Sequence, residues 1–309
     1  QSLGEEPMSV ENDFLVGLRR IATDSGARGL MDDVAVLGDL VLTHDMIVEG
    51  VHFLPEDSPA DVAWKLVAVN LSDLAAKGAV PVGMLAGTGL TRDAAWNAAF
   101  VEGLGEATRA MGVPLLGGDT VVMPDGAPRT FGLTAIGRVS ATPPSRIGAA
   151  PGDVLYVVGV IGDAGLGLEI AMGKRQGPEA LLNAYHRPMP LLDSGRLLAG
   201  HVTAMMDVSD GLLIDAKRLA DASGAGVLID LDAMPMSAEA MAFGSDRAAR
   251  LRAASAGDDY ALLFTASLPP PQVTDRVTRI GQIVRGSGLQ LVDADGAVPL
   301  PERLGWLHG

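Results

Sequence analysis

Residues 58–81 read SPADVAWKLVAVNLSDLAAKGAVP, and this stretch decides the fold class. Ser58-Pro59 is a helix-start signature: the serine side chain caps free amides, and proline suits the first turn. The helix it predicts runs to about Lys77 and stops at Gly78. Val62, Leu66 and Val69 fall on one face at helical spacing, and Asp73 continues the same stripe. Upstream and downstream, strand-like runs stand at 34–37, 40–43, 82–90 and 130–139, and a second helix covers about 93–111 before Gly112. The stretch 140–153, SATPPSRIGAAPGD, is interrupted by Pro143, Pro144 and Pro151, and we expect a domain boundary there, with domains at 1–140 and 141–309. Beyond it we expect a buried strand at 154–159, a helix near 163–173 and short helices to 200. A strand at 203–208, a helix at 210–222, strands at 226–231 and 260–265, and a helix near 270–279 follow. This irregular alternation points to two α/β or α+β layers rather than a barrel.

The chain has 309 residues, about two domains at roughly 150 residues each. It is 48% hydrophobic, enough for a sizeable core, and it carries 38 acidic against 23 basic residues. No run of three Lys or Arg occurs, so we expect no nucleic-acid partner. The absence of cysteine excludes disulfides, thiolate metal sites and a cysteine nucleophile, and fits a reducing compartment, the cytoplasm. The apolar run 154–161 is far short of the about 20 residues needed to span a bilayer, so no membrane partner is expected. The acidic opening QSLGEEP is unlike a signal peptide, and Met8 reads as the natural start.

Familiar phosphate motifs are missing. No Gly-x-x-x-x-Gly-Lys-Ser/Thr loop occurs, and the glycines at 159, 162, 165 and 167 have the wrong spacing for a dinucleotide fingerprint, so they read as close strand-to-helix packing. Aspartate stands out instead. Asp32-Asp33, Asp45, Asp73, Asp119, Asp207, Asp210 and Asp258-Asp259 each follow or flank an apolar run. Carboxylates converging from several sheet rims would bind hard cations such as Mg²⁺, which shares such ligands with phosphates. Taken singly, each is equally a turn or cap residue. Asp73 is either a buried metal ligand or a helix-end residue reaching solvent. At Asp207-Val-Ser-Asp210-Gly, Ser209 or Asp210 either caps the following helix or helps hold a Mg-phosphate group.

These segments together resemble the thiamine-monophosphate kinase family, within the superfamily of aminoimidazole ribonucleotide synthetase. The matching stretches are GLMDDVAVL (29–37), THDMIVEGVHFLP (43–55), KLVAVNLSDLAAKGAVP (65–81), LLGGDT (115–120), SRIGAAPGD (145–153), DVSDGL (207–212), AGDDYALLF (256–264) and LGW (304–306). The resemblance implies a two-domain α/β (α+β) aminoimidazole ribonucleotide synthetase-like fold, with an N-terminal metal- and ATP-binding domain and a C-terminal α/β domain. It implies a homodimer whose N-terminal sheets pair, with ATP in a cleft between the domains. It implies that Asp33, Thr43, Asp45, Asp73, Asp119, Asp207 and Asp210 bind several Mg²⁺ ions. Gly118, Asp119, Arg146 and Ser209 would contact ATP, and His52, Asp258 and Trp306 would contact thiamine monophosphate. The chain departs from the family pattern at Met31, where glycine is usual, at His44, where Thr or Ser is usual, and at Asp258, where Glu is frequent.

The chemistry implied is phosphoryl transfer from ATP to thiamine monophosphate, giving thiamine diphosphate. A phosphate monoester is largely ionised at neutral pH, so no general base is required and no catalytic acid or base is assigned. The obstacle is the approach of two anions within a chain of net charge −15, which bridging cations overcome. Trp306 suits the cationic thiazolium ring, or else plugs a hydrophobic gap. His52 either bonds the substrate or satisfies a turn. The runner-up is aminoimidazole ribonucleotide synthetase, which lacks the His-Phe-Leu-Pro segment; a non-catalytic nucleotide- or thiamine-binding regulator is the alternative from another class. Selenophosphate synthetase and hydrogenase-maturation relatives use a reactive cysteine or selenocysteine that this chain lacks.

Overall fold

The structure, a computed structural model, describes residues 10–307; the expectation for residues 1–8 lies outside them. After α1 (Val10–Arg19) and a 3₁₀ turn (Ser25–Leu30) come β1 (Ala35–Leu37), β2 (Leu40–Val48), α2 (Pro59–Ala76) and β3 (Val80–Leu90). They are followed by α3 (Ala94–Ala110), β4 (Leu115–Val122) and β5 (Thr130–Arg138). The strands form a five-stranded sheet in the order β1-β2-β5-β3-β4. The second half holds β6 (Val154–Val158), α4 (Asp163–Ala171), α5 (Glu179–His186), α6 (Leu192–Leu198), β7 (Ala204–Val208), α7 (Leu212–Ala222) and β8 (Gly226–Asp230). It continues with α8 (Ala238–Met241), α9 (Arg247–Ala254), β9 (Ala261–Ala266), β10 (Val277–Val284), β11 (Gly288–Asp293) and β12 (Gly296–Val298). Its seven-stranded sheet runs β12-β11-β8-β10-β6-β9-β7.

The helix expected near 270–279 is absent. Pro269, Pro270 and Pro271 supply no amide donors, and Val277 onward pairs antiparallel with both β6 and β8. Two aspartates expected at strand ends instead lie inside strands: β2 runs on past Asp45 and β4 past Asp119.

Helix α2 joins the two halves. Ser58 caps it by accepting from the Asp61 amide, as its sequence dictates. Every residue from Val62 to Ala76 is buried, as expected of a helix apolar on nearly all sides. It packs on β2 and β5 of the first sheet, on β7 and β9 of the second, and on α3 and α6. The approach of α6 is close enough that a Cβ on Gly195 would lie 1.9 Å from the Ala75 carbonyl oxygen. Side chains on the α2 stripe therefore face both halves of the molecule.

Candidate functional site

Strand β2 presents alternate residues to α2. Val41, Thr43 and Ile47 are buried on that side, whereas His44 points to the other face and meets Thr134 Oγ1 at 2.9 Å. Thr43 Oγ1 donates to Asp73 Oδ2, and Asp45 lies near enough for its charge to act on Asp73. The Asp45 amide is held by Asn70 Oδ1 at 2.9 Å. Asp73 is 7% exposed, so it does not reach solvent from the helix end. Asp33 arrives from the loop before β1 and Asp207 from β7, where Ser72 Oγ donates to it at 2.6 Å. Asp33, Asp73 and Asp207 each bring one carboxylate oxygen within 4.8 Å of the others. Both halves of the chain thus contribute to one group of oxygens.

The electrostatics divide this group in two. Asp33 is gripped by Arg146 and by Lys77 Nζ at 3.0 Å. Burial alone would raise its pKa, but these two cations hold it far below the ordinary carboxylate range. Asp45, Asp73 and Asp207 have no Lys or Arg ion-pair partner among the described residues. Burial and the neighbouring carboxylates push Asp73 well up and Asp207 up to about 8; burial foremost raises Asp45. The Nε of Arg146 is buried with no hydrogen-bond acceptor among the described residues, so this N–H is unused.

Asp210 lies at the start of α7, paired with Arg218 Nη1 at 2.5 Å. Neither it nor Ser209 caps the helix. The buried Asp215 does so from within: its Oδ2 accepts the amides of Ser209, Asp210 and Gly211 at 3.1, 3.0 and 3.2 Å. The anion-attracting end of α7 is therefore filled by the chain's own carboxylate.

Asp258 receives Lys65 Nζ at 2.7 Å and the Tyr260 hydroxyl at 2.9 Å. Asp258 and Tyr260 adopt φ of 69° and 48°, a left-handed backbone that non-glycine residues avoid unless their surroundings impose it. His52 Nδ1 accepts the Val48 amide at 3.1 Å, closing the turn after β2, while its carbonyl accepts Lys65 Nζ at 3.1 Å. Trp306 donates its amide to the Asp210 carbonyl at 2.9 Å, and at 52% exposure its ring is no buried plug. The backbone of the C-terminal segment is thereby anchored at Asp210.

Gly118 and Asp119 are not brought to this group. They lie on the exposed edge strand β4, and Gly118 shares a cross-sheet row with Asp45 through Ala86 and Leu133. Three strand spacings separate that row's ends, about 14 Å. A Cβ on Gly118 would lie 1.8 Å from the Ala86 carbonyl oxygen, so the glycine permits the β3–β4 contact.

Two family models match the chain: "AIR synthase related protein, N-terminal domain" over residues 31–139 and "AIR synthase related protein, C-terminal domain" over residues 150–293. A thiamine-monophosphate kinase from Caulobacter vibrioides is 38% identical over 97% of this chain and 91% of its own length. The chain belongs to the thiamine-monophosphate kinase family. Among solved structures, AaThiL complexed with AMPPCP and TMP is similar with a TM-score of 0.85 at 26% identity, covering 98% of this chain and all of that one. The thiamine monophosphate kinase from Aquifex aeolicus is similar with a TM-score of 0.80 at 27% identity, covering 94% and 99%.

In this member of the thiamine-monophosphate kinase family, sequence reasoning missed Lys65, Ser72, Lys77, Asp215 and Arg218. One signal was available for Lys77, which stands four residues after Asp73 and so on the same helix face. Asp215 stands four residues after Gly211, one turn into α7. Lys65 carried no local mark of its contact, because Asp258 reaches it only through the packing of the two halves.

Proposed function

We infer that this chain is an ATP-dependent kinase that transfers a phosphoryl group from ATP to thiamine monophosphate, forming thiamine diphosphate and ADP. The observation that carries this reading, beside family membership, is the meeting of buried carboxylates from both halves with too few cations to match them. The donors are all oxygens, the set that a hard divalent cation prefers. Asp33, Asp45, Asp73 and Asp207, with the Thr43 hydroxyl, would hold Mg²⁺. Bound there, Mg²⁺ supplies the positive charge that lets two phosphate groups approach. Asp210, paired to Arg218, stands next to this set and would join it by exchanging that partner. Asp119 remains apart within one chain.

The chain's own side chains do the rest by positioning. Arg146 offers its unused Nε–H to an ATP phosphate, and the Ser209 region forms the floor beside Asp210. Lys65 and Tyr260 orient the Asp258 carboxylate, which would face the cationic end of thiamine monophosphate. The acceptor phosphate needs no base, because its second pKa is near 6. Trp306 would lay its indole face against the thiazolium, an attraction of about 0.5–2 kcal/mol. The homodimer expected from the family is supported by exposed apolar side chains on the N-terminal sheet, among them Met46, Val82, Leu85, Leu116 and Val121. A cytoplasmic site of action follows from the need for ATP; no helix among the described residues is long and apolar enough to cross a membrane.

Purified protein given ATP, Mg²⁺ and thiamine monophosphate is expected to form thiamine diphosphate, read by chromatography. No product at saturating substrates overturns the reading. Trp306→Ala is expected to raise KM for thiamine monophosphate by roughly 2- to 30-fold, the range that corresponds to the cation–π attraction. KM for ATP should stay within about twofold of its original value in steady-state assays. Equal effects on both substrates would assign Trp306 a packing role.

A further inference from the structure

Lys77 is a charged side chain with no exposed surface. Its Nζ is enclosed by three oxygens: Asp32 Oδ1 at 2.6 Å, Asp33 Oδ2 at 3.0 Å and the Met205 carbonyl at 3.2 Å. Two carboxylates and a carbonyl are the ligands a hard cation would select. The ammonium stands one helical turn beyond Asp73 on the same face of α2, and Asp33 spans the gap between the two. The Lys77 cage and the carboxylate group therefore share a ligand.

We propose that Lys77 is a resident cation of the metal site: its Nζ takes a cation position that would otherwise hold a diffusible ion, and fixes Asp33 by its Oδ2. This rests on the metal-dependent kinase reading above and adds a residue to it. The consequence concerns Asp33 Oδ1, which pairs with Arg146. With Oδ2 pinned by Lys77, Asp33 keeps its orientation when Arg146 turns to a phosphate, and Oδ1 becomes the oxygen that faces a phosphate-bound cation. A tethered ammonium does this with no dissociation, and its charge limits how many divalent ions the neighbouring carboxylates take up. Its place at the C-terminal end of α2 also suits the negative end of the helix dipole.

The test is a Mn²⁺ titration of the full chain without nucleotide, followed by electron paramagnetic resonance. Lys77→Ala empties the cage and is expected to bind one more Mn²⁺ per chain than the native protein. Lys77→Met fills the space without the charge and is expected to bind Mn²⁺ at least about tenfold more tightly, since a repelling charge has left a buried site. Lys77→Arg should keep the native number and affinity. Arg28 still pairs with Asp32, and Arg146 with Asp33, in every variant, which favours retention of the fold; circular dichroism checks it. An added ion in Lys77→Ala or tighter binding in Lys77→Met supports the proposal. Native or weaker binding in both overturns it. A native chain that binds no Mn²⁺ overturns the metal reading of the site itself, and the role of Lys77 with it.

Discussion

Replacing Asp73 by Asn is expected to lower kcat by at least about 10³-fold while leaving the protein folded and, without metal, no less stable. The side chain is 7% exposed, receives Thr43 Oγ1 and stands among Asp33, Asp45 and Asp207. Asparagine keeps the shape and can accept the Thr43 hydroxyl, so packing is conserved. It removes a carboxyl whose ionisation burial and the neighbouring carboxylates already oppose, so the metal-free chain loses no favourable charge interaction. The same change deletes a central anionic ligand. A cation's stabilisation of a phosphoryl-transfer transition state is worth several kcal/mol, and about 1.4 kcal/mol is a factor of ten in rate. The measurements are steady-state turnover at saturating Mg²⁺ and thermal unfolding in EDTA. Near-native turnover would remove Asp73 from the metal set, and a collapse in melting temperature would make it a structural residue instead.

Thermal stability in EDTA is expected to fall by several degrees from pH 6 to pH 9, and added Mg²⁺ to flatten that slope. Asp207 is pushed up to about 8, by burial first and then by the charge of Asp33. Asp215 is pushed up to about 7, by burial foremost. In the unfolded chain both would titrate near 3.9. Between these values the folded state binds protons that the unfolded state has released. Folding is therefore favoured at the acidic side of this window, and the advantage is lost as pH rises through about 7 and 8, at roughly 1.4 kcal/mol per pH unit and group. A divalent cation binds the ionised carboxylates, so it replaces the protons and supports the alkaline side. Circular dichroism melts with EDTA and with Mg²⁺ measure both slopes. A flat profile in EDTA would mean that these carboxylates are neutralised within the chain.

Much of this molecule is encoded locally. Ser58-Pro59 starts α2, Gly78 follows its end, and the spacing of Val62, Leu66 and Val69 marks a buried face, because capping and period are properties of neighbouring residues. The runs around Asp33, Asp73 and Asp207 carry the family and the candidate oxygens. Period-two alternation separates His44 from Thr43 and Asp45 once β2 is known to continue beyond Asp45, a length that no local signal marked. The helix expected near 270–279 failed for the complementary reason: β10 is held by its partners β6 and β8, which lie far away in sequence.

By itself the sequence determined most of the elements, the family and a pool of aspartates, since each of these depends on side chains a few positions apart. Only the tertiary structure decided which aspartates meet. It set α2 between two sheets, brought residue 207 to residue 73, left Asp119 on a distant edge strand, and gave Asp33 two cations while leaving Asp73 none among the described residues. The physical reason is that a carboxylate's role follows from the charges and the solvent around it, and those are supplied by packing between segments whose separation along the chain carries no information about their distance in space.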